Sequence, residues 1–216
     1  MTLIPMPRLF IIFIAWLMFT PLVAGAENNS EPGNIRLFKT PITVSSFTLE
    51  DFNHAPFTLE QLKQAWSLVY FGYLSCSDAC PATLSALRGA YKHLAARQPA
   101  ENIRVVFISV DPHRDTFERL KEHVQFFNPA FNGVTGSRAE LTRLLGQFGA
   151  RFDYLDRVSR KKITDIETRP VTDDYIVGHW VDLLLFNPEG QLAGIITPPH
   201  SPQIIVDALD RLIRSP

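Results

Sequence analysis

Cysteine is scarce in this chain of 216 residues, which contains only Cys76 and Cys80. Two cysteines exclude the class of small secreted domains that depend on several disulfides in place of a hydrophobic core. An excess of charge is also lacking, since 21 Lys and Arg residues stand against 22 Asp and Glu residues. A nearly neutral chain with both signs interspersed gives no indication of nucleic-acid binding. Internal repeats, coiled-coil heptads and long low-complexity tracts are missing as well.

Long apolar runs are limited to the N-terminus. Residues 9–23 are almost entirely apolar, and they are followed by Ala24-Gly25-Ala26, small residues of the A-x-A cleavage type. This layout predicts a signal peptide over residues 1–26. The alternative is an uncleaved anchor, because residues 9–26 provide about the 18 residues that a membrane span requires. Both interpretations predict a periplasmic protein in a bacterium, either soluble after cleavage or anchored to the inner membrane.

The rest of the chain is predicted to hold a linker and one domain. Pro32-Gly33 and its neighbours indicate a linker over residues 27–44. Residues 45–216 are long enough for one domain with a full hydrophobic core.

Strand and helix patterns alternate along this domain. Strands are predicted near residues 45–50, 55–58, 67–74, 103–110 and 133–136, and a closing hairpin at 181–186 and 191–197. Helices are predicted from Pro81 with Cys80 as N-cap, after Asp115, after Ser137 and after Ser201. Residues 150–178 are charged and weakly patterned. Parallel strands joined by helices and closed by a hairpin predict an α/β, thioredoxin-like fold with an N-terminal β-hairpin extension.

The two cysteines follow the carboxyl end of the predicted central strand, residues 67–74. Functional groups of open α/β sheets gather at this end. The helix that begins here offers unpaired N–H groups, which favour thiolate over thiol. A disulfide closing about five residues would stabilise the fold by only about 2 kcal/mol. The pair is therefore predicted to serve chemistry, either disulfide exchange or the binding of a soft metal.

A histidine stands opposite this pair in the predicted fold. Thioredoxin-type reductases space their cysteines as C-x-x-C and carry a proline before the strand that faces them. This chain has C-x-x-x-C, and Gly178-His179-Trp180 precedes the facing strand. Two thiolates and an imidazole suit copper, whereas structural zinc takes four ligands. A lone histidine beside a strand is more commonly an ordinary polar residue, but its placement favours His179 as a ligand. The remaining histidines are not predicted to bind metal: His54, His93, His113, His123 and His200.

Four blocks of sequence, in collinear order from about Thr48 to the C-terminus, resemble the Sco/SenC family of copper-binding proteins. The blocks are Phe71-Gly-Tyr-Leu-Ser-Cys76-Ser-Asp78-Ala-Cys80-Pro81, Val110-Asp111-Pro112-His-Arg114-Asp115-Thr116, Gly133-Val-Thr135-Gly136-Ser137 and Tyr175-Ile-Val177-Gly178-His179-Trp180. The similar family patterns are F-G-[YF]-[TS]-x-C-P-D-x-C-P, V-D-P-x-R-D-T, G-L-T-G-S and Y-x-V-D-H-S. Each block is modest alone, but four in order are highly specific.

The resemblance implies a thioredoxin-like protein of the periplasm or intermembrane space that binds one copper, Cu(I) or Cu(II), through Cys76, Cys80 and His179. It also implies a role in assembling the dinuclear copper centre of cytochrome c oxidase. The implied partners are the copper-site subunit of the oxidase, another cuproprotein or other copper chaperones, with membrane contact only through the N-terminal segment. The alternative is an extracytoplasmic thiol-disulfide oxidoreductase, with Cys76 and Cys80 as the catalytic redox pair. Asp78, Asp111 and Arg114 match recurrent family positions, where a structural role is equally expected.

Three positions depart from the family pattern. Gly178 replaces an Asp, Trp180 replaces a Ser and Ser77 replaces a Pro. The first change is expected to remove a hydrogen bond that orients the imidazole. Trp180 is expected to cover the site or to face a partner, and Ser77 to loosen the cysteine loop.

Overall fold

The computed structural model describes residues 34–97, 102–172 and 174–214. Their strands are β1 (Ile35–Ile42), β2 (Thr48–Asp51), β3 (Pro56–Thr58), β4 (Trp66–Gly72), β5 (Ile103–Ser109), β6 (Asn132–Thr135), β7 (Phe152–Asp156), β8 (Lys162–Ile163), β9 (Tyr175–His179), β10 (Leu183–Phe186) and β11 (Leu192–Ile196). The helices are α1 (Ala79–Ala95), α2 (Phe117–Phe127), α3 (Arg138–Gly146) and α4 (Pro202–Arg214), with short 3-10 turns at Leu59–Leu62 and Ile166–Thr168. The predicted export segment, residues 1–26, lies outside the described residues.

Two sheets organise the fold. The larger has eight strands in the order β1-β11-β10-β4-β5-β6-β2-β3, and the smaller has three in the order β8-β7-β9. Strands β4, β5 and β6 run parallel, and β10 pairs antiparallel with β4. The carboxyl ends of the three parallel strands therefore lie at one edge of the sheet, where Cys76 and Cys80 follow β4.

Side chains of β4 alternate between two hydrophobic clusters, one on each face of the larger sheet. Leu68 and Tyr70 pack in the cluster that contains the buried residues of α1, α2 and α4. Val69 and Phe71 pack in the other cluster, with α3 and the smaller sheet. A strand buried on both faces reads as a continuous apolar run, which is why the sequence predicted it.

The predicted α/β class and the N-terminal hairpin are confirmed, because β2 and β3 pair antiparallel around a tight turn. The capping residues predicted for α3 and α4 are confirmed too. Ser137 Oγ accepts from the backbone N–H of Glu140 at 3.2 Å, and Ser201 Oγ accepts from that of Ile204 at 3.3 Å. Among the described helices, none combines the length and the apolar character needed to cross a membrane.

The predicted linker is wrong over residues 35–42, which form β1 and pair antiparallel with β11. Strand β1 has a partner on one side only, and it contains Pro41, which an edge strand tolerates because one side of its backbone needs no partner. Only Ile35 of this strand is buried, so the alternating pattern of a half-buried strand is weak.

Two predicted helix starts are also wrong. Helix α1 begins at Ala79 with Asp78 as its N-cap, so Cys80 and Pro81 are its second and third residues. Proline is tolerated there because the first-turn N–H groups have no partner within the helix. Helix α2 has Thr116 as N-cap, since its Oγ1 accepts from the Arg119 N–H at 3.4 Å. Asp115 is buried instead and accepts hydrogen bonds from Ser109 and from Leu74.

Candidate metal centre

Cys76, Cys80 and His179 meet at the carboxyl edge of the parallel strands. Their ligand atoms all lie within 4.8 Å of one another. Cys80 Sγ and His179 Nε2 are 3.9 Å apart. Within the described ranges this is the one group of three or more His, Cys, Asp or Glu side chains close enough to hold a metal ion. Both cysteines are free, and no disulfide joins them.

The two sulfurs are held in different surroundings. Cys76 lies in the loop after β4, is half-buried, and its N–H donates to the carbonyl of Tyr73 at 3.2 Å. Cys80, in the first turn of α1, is fully buried at 0 % exposure. Cys76 packs against both hydrophobic clusters, so the loop lies at their common border.

Gly72 allows Cys80 to approach the sheet. A Cβ at this position would lie 2.9 Å from Cys80 Sγ and 2.6 Å from the ring of Phe107. Both distances are shorter than van der Waals contact, so any side chain at position 72 would displace the thiol or the ring. The glycine of the F-G-Y block thus has a steric function at the site.

His179 reaches the site from the smaller sheet. It ends β9, pairs with Phe152 of β7, and its Nδ1 lies 2.7 Å from the backbone carbonyl of Trp180. A carbonyl can only accept, so Nδ1 donates and the lone pair of the neutral ring is on Nε2, the atom nearer to Cys80. The ring of Tyr73 meets the imidazole edge-on, with 5.6 Å between the ring centroids. The imidazole is therefore already oriented as a ligand.

Hydrogen bonding moves the pKa values of the two thiols apart. A hydrogen bond with Cys80 lowers the pKa of Cys76, burial opposes this, and hydrogen bonds with His179 and with the backbone at Asp78 and Cys80 lower it further. The same bond with Cys76, together with burial, raises the pKa of Cys80. The pair therefore loses its first proton easily, at Cys76, and its second with difficulty.

Tyr70 is a neighbour of the site that sequence reasoning missed. Its hydroxyl lies 3.9 Å from Cys80 Sγ, and its ring meets that of His200 edge-on at 6.1 Å. Burial is the main reason that the pKa of Tyr70 is raised, so the phenol stays protonated. The only signal in the sequence is an aromatic residue with a polar hydroxyl in a mainly apolar central strand.

The other histidines lie elsewhere. His200 bonds with Thr83 Oγ1 at 2.8 Å and with the Ile196 carbonyl at 3.0 Å, and His54 pairs with Glu50. His123 on α2 is partly buried, because its ring packs beside those of Phe107 and Phe127. The remaining two are His93, which is exposed, and His113, which lies beside the ring of Tyr175.

Of the three other family positions, Asp78 lies at α1, whereas Asp111 and Arg114 lie together after β5. Asp78 is exposed at the start of α1 and makes no side-chain capping bond. Asp111 and Arg114 are buried and form an ion pair, with Nε of Arg114 2.6 Å from Oδ2 of Asp111. None of these side chains belongs to the group of ligand atoms.

Two of the departures from the family pattern have clear structural consequences. Gly178 is exposed and has no side chain that could orient the imidazole of His179. The backbone carbonyl of Trp180 orients it instead. The Trp180 ring stacks on Phe148 with 6.2 Å between centroids, and its Nε1 donates to Asp182 at 2.7 Å. Trp180 is thus packed against the protein beside the site.

Known proteins resemble the chain over most of its length. The family model described as SCO1/SenC matches residues 37–214. A protein of Stutzerimonas stutzeri is 31% identical over 183 residues, which cover 85% of this chain and 81% of that protein. The mitochondrial protein SCO2 of Saccharomyces cerevisiae is 33% identical over 165 residues, 76% of this chain and 51% of that protein. The chain thus spans about half the length of this yeast relative.

Solved structures show the same likeness. Arabidopsis thaliana ScoI with copper bound has a TM-score of 0.68 and 26% identity, covering 79% of this chain and 98% of that chain. Yeast Sco1 with copper bound has a TM-score of 0.69 and 28% identity, covering 82% and 91%. These structures confirm the predicted thioredoxin-like fold. From the family model and these relatives together, the chain belongs to the SCO1/SenC family.

Proposed function

We propose that this protein binds one copper ion through Cys76, Cys80 and His179. We propose further that it serves the assembly of the dinuclear copper centre of cytochrome c oxidase, by delivering the ion or by preparing the thiols that receive it. The observation that carries the proposal is the meeting of two thiols and an imidazole lone pair within 4.8 Å, in a family with copper-bound structures.

The donor set fits copper in both oxidation states. Thiolates are the soft ligands that Cu(I) prefers, and imidazole suits Cu(II) as well. The lowered pKa of Cys76 favours its thiolate. A bound cation would supply the positive charge that lets buried Cys80, whose pKa is raised, lose its proton. Nε2 of His179 needs no rearrangement, since its ring is held by the Trp180 carbonyl. No fourth ligand of the kind that structural zinc takes is present in the group.

Burial suggests the direction from which a partner approaches. Cys80 is closed off from solvent, whereas Cys76 and His179 are partly exposed. A thiolate of the copper-site subunit would therefore meet the ion on the side of Cys76. Exchange of ligands would begin there, and Cys80 would release last.

A second function, thiol-disulfide exchange, is favoured by the separation of the two thiol pKa values. The Cys76 thiolate would attack a disulfide of the partner, forming a mixed disulfide and releasing one partner thiolate. Cys80, as thiolate, would then attack Cys76 Sγ, forming the Cys76–Cys80 disulfide and releasing the second partner thiolate. The partner gains two electrons and this protein loses two. The same thiols would thus prepare the partner that receives copper.

The deciding experiment is an anaerobic Cu(I) titration of the reduced protein with metal analysis. We expect one copper per chain, and loss of tight binding in Cys76→Ser and in Cys80→Ser, because one thiolate leaves too few soft ligands. Ser77→Ala is the matched control, since this exposed residue lies in the same loop. Full affinity in either cysteine variant would contradict the site.

A parallel assay separates delivery from general reductase activity. With C-x-x-x-C spacing and His179 where reductases carry a proline, insulin reduction should be slow beside that of a C-x-x-C thioredoxin. Copper should protect both thiols from alkylation, because metal-bound thiolates are no longer nucleophiles. Rapid insulin reduction, with thiols that copper fails to protect, would favour the oxidoreductase function.

We also propose that the protein works outside the cytosol, exported by residues 1–26. The apolar run over residues 9–23 and the A-x-A site support this. Mass spectrometry of the N-terminus of the protein from membrane and periplasmic fractions would distinguish cleavage from anchoring. Recovery of the intact chain in the cytosol would contradict export.

A further inference from the structure

A buried arginine lies against the strand that supplies the histidine. Arg114 follows β5, and its side chain is 1 % exposed. Its Nε donates to Oδ2 of Asp111 at 2.6 Å, and its Nη1 donates to the carbonyl of Tyr175 at 3.1 Å. Tyr175 begins β9, the strand that ends at His179. The arginine therefore bonds to the backbone at the entry to this strand, at a carbonyl that also accepts from Nη2 of Arg157 at 3.4 Å.

The same guanidinium is held by aromatic rings on the side of the site. It lies over the ring of Tyr175, 3.6 Å from the centroid, and 5.7 Å from the centroid of Tyr73. The hydroxyl of Tyr175 donates to Oδ1 of Asp111 at 2.7 Å. Asp111 thus anchors both the arginine and the tyrosine on which the arginine stacks.

Tyr73 carries this contact to the proposed ligands. Its ring meets the His179 imidazole edge-on at 5.6 Å, and its carbonyl accepts the N–H of Cys76 at 3.2 Å. On one side, Arg114 therefore contacts Tyr73, which anchors the cysteine loop. On the other side it contacts the strand that carries the histidine.

The cost of burying a guanidinium indicates a specific role. Replacing a buried ion pair with apolar side chains of similar volume is commonly neutral or stabilising, so stability alone does not explain the Asp111–Arg114 pair. What an apolar side chain cannot provide is the fixed geometry of directed bonds to Asp111 and to the Tyr175 carbonyl.

We infer that Arg114 is a positioning residue, which sets the distance between His179 and the two thiols by holding the start of β9 against Tyr73. The inference deepens the proposed copper function and rests on it. Its contacts with Tyr175 and Tyr73 connect it to the site, so we expect its effect to be exerted through these two residues. Copper(II) ligation by nitrogen should depend on it more than Cu(I) binding by the two thiolates.

The test compares Arg114→Lys, which keeps the charge but loses the planar fork, with Arg114→Met, which keeps much of the volume. Arg97→Lys is the control, because Arg97 pairs with Asp210 on the surface. The readouts are Cu(I) stoichiometry, nitrogen hyperfine structure in the Cu(II) electron paramagnetic resonance spectrum, and the ring resonances of His179 by NMR without metal. We expect both Arg114 variants to keep one Cu(I), to lose the nitrogen signal, and to bind Cu(II) about tenfold to a hundredfold more weakly.

A milder variant keeps the test decisive if the Arg114 variants do not fold. Tyr175→Phe removes only the hydroxyl that donates to Asp111, and we expect it to shift the His179 ring resonances and weaken the nitrogen signal. Folded Arg114 variants, or Tyr175→Phe, with the wild-type Cu(II) spectrum and wild-type His179 resonances would overturn the inference. Failure of the wild-type protein to bind copper would overturn the proposed function instead, and the metal-free resonances would still report on positioning.

Discussion

At the residue scale, each of the three proposed ligands is held by a different kind of contact. The Cys76 N–H is bonded to a carbonyl within its own loop, Cys80 is buried against Gly72, and His179 is oriented by the Trp180 carbonyl. These supports come from different parts of the chain. Each can therefore be removed by a substitution of its own.

Gly72→Ala tests the steric support of Cys80. A methyl group here would meet Cys80 Sγ and the Phe107 ring, so we expect a destabilisation of about 1–3 kcal/mol, typical of overpacking, together with weaker copper binding. Urea unfolding and Cu(I) titration measure the two effects. Gly146→Ala is the control, because a Cβ there meets nothing within 4 Å. Equal stability and copper affinity in Gly72→Ala would show that the site does not need this close approach.

His179→Ala tests the third ligand. Two thiolates can hold Cu(I) without help, whereas Cu(II) gains more from imidazole, so Cu(II) binding should weaken more than Cu(I) binding. Parallel titrations with each ion measure the difference, with His200→Ala as a control outside the ligand group. If the Cu(II) spectrum is unchanged, His179 is an ordinary polar residue at the end of β9.

At the element scale, β4 and α1 could be predicted because their patterns are strong and local. The run that includes Leu68 and Phe71 is buried on both faces, and Leu84 and Leu87 recur at helical spacing and are fully buried. The predicted start of α1 is two residues late. The prediction places Pro81 at the first helical position, but proline is also tolerated at the third, which it occupies.

The smaller sheet was not predicted, because its strands are short and its stability depends on contacts distant in sequence. In β7, buried Phe152 and Tyr154 alternate with more exposed residues, but five residues are too few to distinguish such a strand from a charged loop. His179 was placed near the cysteines from its position before β10. Neither its position in a strand of the smaller sheet nor the Trp180 carbonyl that orients it can be predicted from the sequence pattern.

Tyr154→Phe tests how the smaller sheet is attached to the larger one. The Tyr154 hydroxyl donates to the Val110 carbonyl at 3.0 Å in the buried space between β7 and the end of β5. Removing the donor leaves that carbonyl without this bond, so we expect a loss of about 1–3 kcal/mol in the free energy of unfolding. Denaturant unfolding measures it, with Tyr91→Phe on α1 as the control. A change within error would mean that apolar packing alone attaches the sheet.

At the scale of the whole molecule, the proposed site joins the two sheets. Cys76 and Cys80 follow β4 of the larger sheet, and His179 ends β9 of the smaller one. Cys76 also packs against both hydrophobic clusters. An ion bound to all three residues would therefore connect parts of the fold that are far apart in sequence.

Hydrogen exchange should detect this connection. Any ligand that binds only the folded state stabilises it, by about 2.7 kcal/mol at a concentration of one hundred times its Kd. Binding of Cu(II) depends on the imidazole. In the wild-type protein loaded with Cu(II), amides of β7, of β9 and of the start of α1 should therefore exchange more slowly than in the metal-free protein. In His179→Ala loaded with Cu(I), protection should persist near Cys76 and Cys80 but should not extend to β7 and β9, because the link to the smaller sheet is gone. Hydrogen–deuterium exchange with mass spectrometry resolves these segments. Equal protection of β7 and β9 in both proteins would mean that the smaller sheet is stabilised through packing, without a bond from His179 to the ion.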